Sequence, residues 1–288
     1  MPPFDPRVTA ARDDFAAKEL EGRVTARRYV EGRVYEIAEP QAPVWVEPRP
    51  DASLVTEALR GERVVIYDRN AEGFAWGQLA ADNYVGWLPE HALGPPGPSA
   101  THKVSALRTL AFPAPSIKLP PIEALPFGAR VVISGFDGRM AITSTNLYVP
   151  VPHLKLVDEN EVDFAAVAER FLGAPYLWGG KTVLGLDCSG LVQVALTACG
   201  AACPRDSDMQ EAALGEPVRA DAYSDLRRGD LMFWKGHVAI VRDRATLLHA
   251  NAFHMAVAIE PIADAIKRIG ASGSDVTMVK RLMRQRPE

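Results

Sequence analysis

Cys188 stands in Leu186-Asp187-Cys188-Ser189-Gly190-Leu191-Val192, where polar residues give way to an apolar stripe of helical period. Leu191, Val192, Ala195, Leu196 and Cys199 mark one face, and Gly200 is a natural stop. Asp187 is suited to cap that helix, which puts Cys188 in its first turn. Unpaired N–H groups and the helix dipole there favour negative charge, so the position favours a thiolate, and a neighbouring imidazolium would favour it further. About fifty residues on, His237 opens the apolar run Val238-Ala239-Ile240-Val241, and His249 lies in a second short run, residues 246–251. A thiol, a base to take its proton and a third group to orient that base suffice for nucleophilic catalysis.

The histidine geometry depends on pairing. A hairpin centred near Asp243 sets His237 directly opposite His249, with Cβ atoms about 4.5–5.5 Å apart. His249 then fixes the angle and tautomer of His237. Other readings stay open at this point: a buried structural cysteine, two unrelated histidines, or a Cys/His/His zinc site. The zinc reading lacks the fourth protein ligand of a structural site.

The segments Pro175-Tyr176-Leu177-Trp178-Gly179-Gly180, Asp187 to Val192, Arg228-Gly229-Asp230-Leu231, Gly236 to Ile240 and His249-Ala250 resemble, in order and spacing, the NlpC-type bacterial cell-wall cysteine peptidases. The resemblance runs over roughly residues 160–285 and implies a papain-like fold. It implies Cys188 as nucleophile, His237 as general base and His249 as the orienting residue, with no metal or organic cofactor.

Upstream the chain changes character. Short apolar runs broken by turn signals fill residues 42–93, among them Val64 to Tyr67, Phe74 to Leu79 and Tyr84 to Leu88. They resemble a bacterial SH3-like barrel. Gly94-Pro95-Pro96-Gly97-Pro98-Ser99 reads as a linker. Leu125 to Ile133 echoes Leu59 to Ile66, which suggests a second, diverged barrel. The expected organisation is α+β: an N-terminal extension (1–41) packing on the barrels, SH3-like barrels at 42–94 and 100–157, and the peptidase domain at 160–288.

This order resembles a narrower subgroup, the γ-D-glutamyl-L-diamino acid endopeptidases. It implies cleavage of murein tripeptides or tetrapeptides that carry a free N-terminal L-alanine, with diaminopimelate or lysine third. By the same resemblance Asp187, Ser207, Tyr84 and Glu57 close one end of the groove and hold the substrate ammonium. Tyr176, Trp178 and Ser189 line it beside the thiol. Plainer roles exist for several: Asp187 as a cap alone, Ser207 capping the next helix, Tyr84 and Trp87 as barrel core, Glu57 as a solvated charge, Tyr176 and Trp178 as packing.

Composition sets the outer bounds. The chain has 288 residues and a net charge of −4, so it offers no basic footprint for nucleic acid. Three cysteines make no disulfide framework, and Cys199 and Cys203 read as small core residues. No stretch reaches the length of a membrane span. Residues 1–20 carry seven charges and no apolar segment, which leads to the expectation of a cytoplasmic enzyme. The oligomeric state stays open, a monomer being compatible with everything read. The rival readings are a wall- or peptide-binding module with an inert catalytic domain, and an amidase or acyltransferase on the same scaffold.

Overall fold

Alternating burial along short strands, punctuated by left-handed turn residues, shapes the first part of the computed structural model, which describes residues 4–218, 223 and 225–282. The chain divides into two units, Met1–Glu159 and Asn160–Glu288.

In the first unit a seven-stranded sheet runs in the order Leu54–Leu59, Gln41–Trp45, Val85–Pro89, Phe74–Leu79, Arg63–Arg69, Arg33–Ile37, Leu93–Gly94. The sheet therefore draws in Arg33–Ile37, upstream of residue 42. Its inward residues, including Ile37, Val44, Ala58, Val64, Ile66, Leu79 and Leu88, form one core. The turn before Arg63–Arg69 uses Gly61 at φ +77°, a conformation glycine adopts without Cβ strain. Residues upstream pack on the sheet through Phe15, fully buried and edge-on to Trp76 with ring centroids 5.3 Å apart.

Residues 102–156 build three small sheets around a separate core of Val104, Ala111, Leu125, Ala129, Val131 and Val149. Arg60 joins this part to the seven-stranded sheet through a bidentate pair with Glu123, both contacts at 2.7 Å.

The second unit is a six-stranded antiparallel sheet in the order Glu216–Pro217, Val276–Arg281, Asp230–Trp234, His237–Val241, Thr246–Asn251, Ala256–Pro261. Helix Ile262–Ala271 buries Ile262 and Ala265 against Met232, Trp234, Ala239, Val241, Leu247 and Val279. Helix Cys188–Ala198 packs against His237–Val241 and Thr246–Asn251. Its residues are buried nearly throughout, so it is a core helix and not an amphipathic surface helix. No described helix is long and apolar enough to cross a membrane. None of the three cysteines forms a disulfide; Cys203 is buried and Cys199 partly so.

Candidate active site

The nucleophile helix begins where its sequence says it should. Asp187 takes the N-cap position in extended backbone, and its Oδ1 accepts from the Gly190 backbone N–H at 2.7 Å. Gly200, at φ +77°, follows the helix end. Cys188 is the first helical residue, and the backbone N–H groups of Val238 and Ser189 favour its thiolate. Burial acts the other way. It pushes the Cys188 thiol up to about 12, and the neighbouring Asp187 charge adds to this. Burial therefore opposes the lowering expected from the helix terminus. Desolvation of a thiol that is only 7% exposed outweighs the helix terminus.

The two histidines meet, but not as opposed residues. Ile240 pairs with Leu248 and Val241 with Leu247. In that register Ala239 stands opposite His249, so His237 is its diagonal neighbour. The centre lies one residue later than Asp243, because the Asp243 side chain closes the turn by accepting from the Ala245 and Thr246 N–H groups at 2.8 and 2.9 Å. A shift of two in the partner keeps both side chains on one face, and a diagonal pair lies within reach of long or aromatic rings. His237 Nε2 and His249 Nδ1 are 2.9 Å apart, with ring centroids at 5.1 Å. Burial pulls His237 down to about 3, assisted by the His249 charge, and pulls His249 down to about 4. Burial thus favours the neutral form of all three groups.

Asp187 already has partners within the protein. Arg205, 1% exposed, grips it bidentately at 2.9 and 2.7 Å. Gly179 N–H and Ser189 Oγ donate to it as well, at 2.8 and 3.3 Å. Its charge is balanced inside the protein, and it caps the helix and anchors Arg205. Burial alone would lower the Arg205 pKa, but the Asp187 charge and hydrogen bonds hold it above its ordinary value. Ser189 also accepts from Arg205 Nη1 at 2.9 Å, and its carbonyl accepts from Gln210 Nε2 at 2.9 Å.

Ser207 is buried as the first residue of helix Ser207–Ala213; the cap position belongs to Asp206, which makes no side-chain cap bond. Tyr176 is half-buried, and its hydroxyl is pushed up to about 12, first by burial and then by the Cys188 charge, which places it beside the thiol. Trp178 is 65% exposed and so is not core packing.

Glu57 and Tyr84 belong to the first unit. Tyr84 is part of the barrel core. Glu57 is 4% exposed in strand Leu54–Leu59, and its Oε1 accepts from Gln41 Nε2 at 2.9 Å, so it is not a solvated charge. Sequence reasoning assigned no role to Arg205, Gln210 or Glu260. Glu260 accepts from His249 Nε2 at 3.1 Å, and Arg268 binds it at 2.6 and 3.0 Å. The Pro204-Arg205-Asp206-Ser207 motif offered a signal for Arg205, since a charge between apolar and cap residues needs a partner. Glu260, in an ordinary alternating strand, offered none.

Residues 44–93 match the bacterial dipeptidyl-peptidase Sh3 domain family, and residues 173–268 match the NlpC/P60 family. An 84-residue stretch is 37% identical to dipeptidyl-peptidase 6 of Lysinibacillus sphaericus, covering 29% of this chain and 30% of that protein. Over 244 residues the chain is 28% identical to gamma-D-glutamyl-L-lysine dipeptidyl-peptidase of Bacillus subtilis (strain 168), covering 75% of this chain and 78% of that one. The fold is similar to the crystal structure of an NlpC/P60 family protein from Bacillus cereus ATCC 10987, with a TM-score of 0.70 at 19% identity over 86% of this chain and 99% of that chain. The chain carries an NlpC/P60 cysteine-peptidase domain behind an SH3-like domain.

Proposed function

We propose that this NlpC/P60 hydrolase cleaves the bond between γ-D-glutamate and the following diamino acid in short murein peptides with a free N-terminal L-alanine. The observation that carries the reading is the His237–His249 hydrogen bond on a strand whose Val238 N–H meets the Cys188 thiol at the capped start of a buried helix. Relatives named as γ-D-glutamyl-L-lysine dipeptidyl-peptidases support the bond, with lysine or diaminopimelate third.

On this reading, His237 takes the thiol proton once substrate is bound in the buried site. The Cys188 sulfur attacks the γ-glutamyl carbonyl, forming an acyl-enzyme thioester. The Cys188 backbone N–H faces the developing oxyanion. His237 then gives its proton to the departing amine and activates the water that hydrolyses the thioester. His249 keeps the His237 ring in place throughout. A peptide with a free N-terminus no longer belongs to the wall polymer, and on that ground the activity fits recycling of released peptides.

The test uses L-Ala-γ-D-Glu-diaminopimelate, its lysine counterpart and their N-acetyl forms, with products read by mass spectrometry. The free tripeptides should release L-Ala-γ-D-Glu, and acetylation should cost at least about 10²-fold in kcat/KM, because on this reading the free ammonium is part of what is recognised. Cys188→Ser should abolish turnover. Equal cleavage of free and acetylated peptides would refute the free-terminus reading, and activity in Cys188→Ser would refute the thiol mechanism.

A further inference from the structure

We propose that Glu260 is a positioning residue that fixes which nitrogens of the His237–His249 pair carry protons, leaving His237 Nδ1 bare for the thiol. The inference rests on the reading of Cys188 and His237 as nucleophile and base.

Three neighbouring strands set up a line. Strand Thr246–Asn251 pairs on one side with His237–Val241 and on the other with Ala256–Pro261, where Leu247 faces Glu260 and His249 faces Ala258. In these registers His237 stands level with residue 251, His249 follows two residues along, and Glu260 is level with residue 247. Each step is a diagonal on one face of the sheet, within reach of long side chains. Contacts follow the line: His237 Nε2 to His249 Nδ1 at 2.9 Å, and His249 Nε2 to Glu260 Oε2 at 3.1 Å. His249 is 1% exposed and Glu260 6%, so neither end of that second contact has bulk water as an alternative.

The proton count then follows from Glu260 alone. Burial raises the Glu260 pKa, but the Arg268 hydrogen bonds and charge, with His249, bring it below the ordinary carboxylate value, so it is ionised at neutral pH. An ionised carboxylate only accepts. His249 must therefore donate through Nε2–H. A neutral imidazole has one N–H, so its Nδ1 is bare and can only accept. His237 must then donate through Nε2–H, and its Nδ1 is left as the lone-pair nitrogen. When the thiol proton moves to that Nδ1, His237 becomes an imidazolium whose Nε2–H already has its acceptor; neither that proton nor the one on His249 needs to move. The charged and titratable groups acting on the two rings are Glu260, Arg268 and His254, together with the rings themselves. Arg268 comes from helix Ile262–Ala271, and its guanidinium also lies 4.6 Å from the Phe253 ring centroid, which holds the carboxylate clamp from outside the sheet.

Nitrogen-15 NMR of the histidine side chains in the full-length protein reads the tautomers directly. At neutral pH the wild type should show Nε2–H for both His237 and His249. Glu260→Gln keeps size and hydrogen bonding but can also donate, so it should admit the Nδ1–H form of His249. It should lower kcat on L-Ala-γ-D-Glu-diaminopimelate at least about tenfold while KM stays within about twofold, because the tautomer acts on proton transfer and not on binding. Losing the carboxylate also removes a group that favours the imidazolium, so the acid limb of the kcat profile, where the base becomes protonated, should move to lower pH. A wild-type spectrum with His249 protonated at Nδ1 would overturn the proposal whether or not Glu260→Gln folds. Unchanged tautomers, kcat and pH profile in Glu260→Gln would overturn it too. If the wild type fails to cleave the tripeptide, the proposed function falls, while the spectrum still decides the proton arrangement.

Discussion

Arg205 keeps a full charge at 1% exposure, and its stability contribution depends on Asp187. A buried ion pair adds little over an apolar replacement, but breaking one half leaves an uncompensated charge. Arg205→Ala should therefore lower the unfolding free energy by about 3–5 kcal/mol in urea titrations. Arg205→Ala with Asp187→Asn should recover part of that loss, because the charge goes with its partner. The histidines make a second residue-level prediction. Both are pulled from an ordinary 6.5 to about 3 and about 4, with burial the main cause. The unfolded chain binds their protons first, so their contribution is fully present above pH 6.5 and is lost as pH falls toward 4 and 3. Between pH 6.5 and 5, above the carboxylate range, unfolding free energy should drop by roughly 2 kcal/mol for each of the two histidines. A His237→Asn/His249→Asn protein should show a flatter profile in that window; an equally steep one would contradict the burial of neutral imidazoles.

At the scale of elements, the start of the nucleophile helix is set by a backbone approach that no side chain tolerates. A Cβ on Gly190 would lie 2.3 Å from the Gly180 carbonyl oxygen, and backbone cannot swing aside as a flexible side chain does. Gly180 has the same relation to the Gly185 carbonyl, also at 2.3 Å. Gly190→Ala, helix-favouring by propensity, should therefore destabilise by about 1–3 kcal/mol and displace Cys188. Its thermal midpoint and kcat should both fall; a stabilised, active variant would show that the approach is not required. The hairpin shows the complementary case. Its turn chemistry at Asp243 shifts the register, yet the two histidines still meet because the shift keeps them on one face.

At the scale of the whole molecule, each unit has cores of its own, and the two matched families fall one in each. Local chemistry explains how much of this the sequence by itself determined. Helical period with an Asp cap and a glycine stop places helix Cys188–Ala198; apolar runs broken by polar turns place strands His237–Val241 and Thr246–Asn251. These signals act over a few residues and survive any tertiary arrangement. The face of each histidine was legible too, since side chains alternate with period two. Only the tertiary structure decided the rest. A slide by two residues changes no face, so the pattern leaves the diagonal register open. Asp187 finds Arg205 eighteen positions along the chain. Glu260 reaches His249 across a strand pair. The Cys188 thiol becomes hard to ionise because the core closes over it. Partner choice and desolvation depend on which atoms surround a group in space, and that is fixed when distant segments pack.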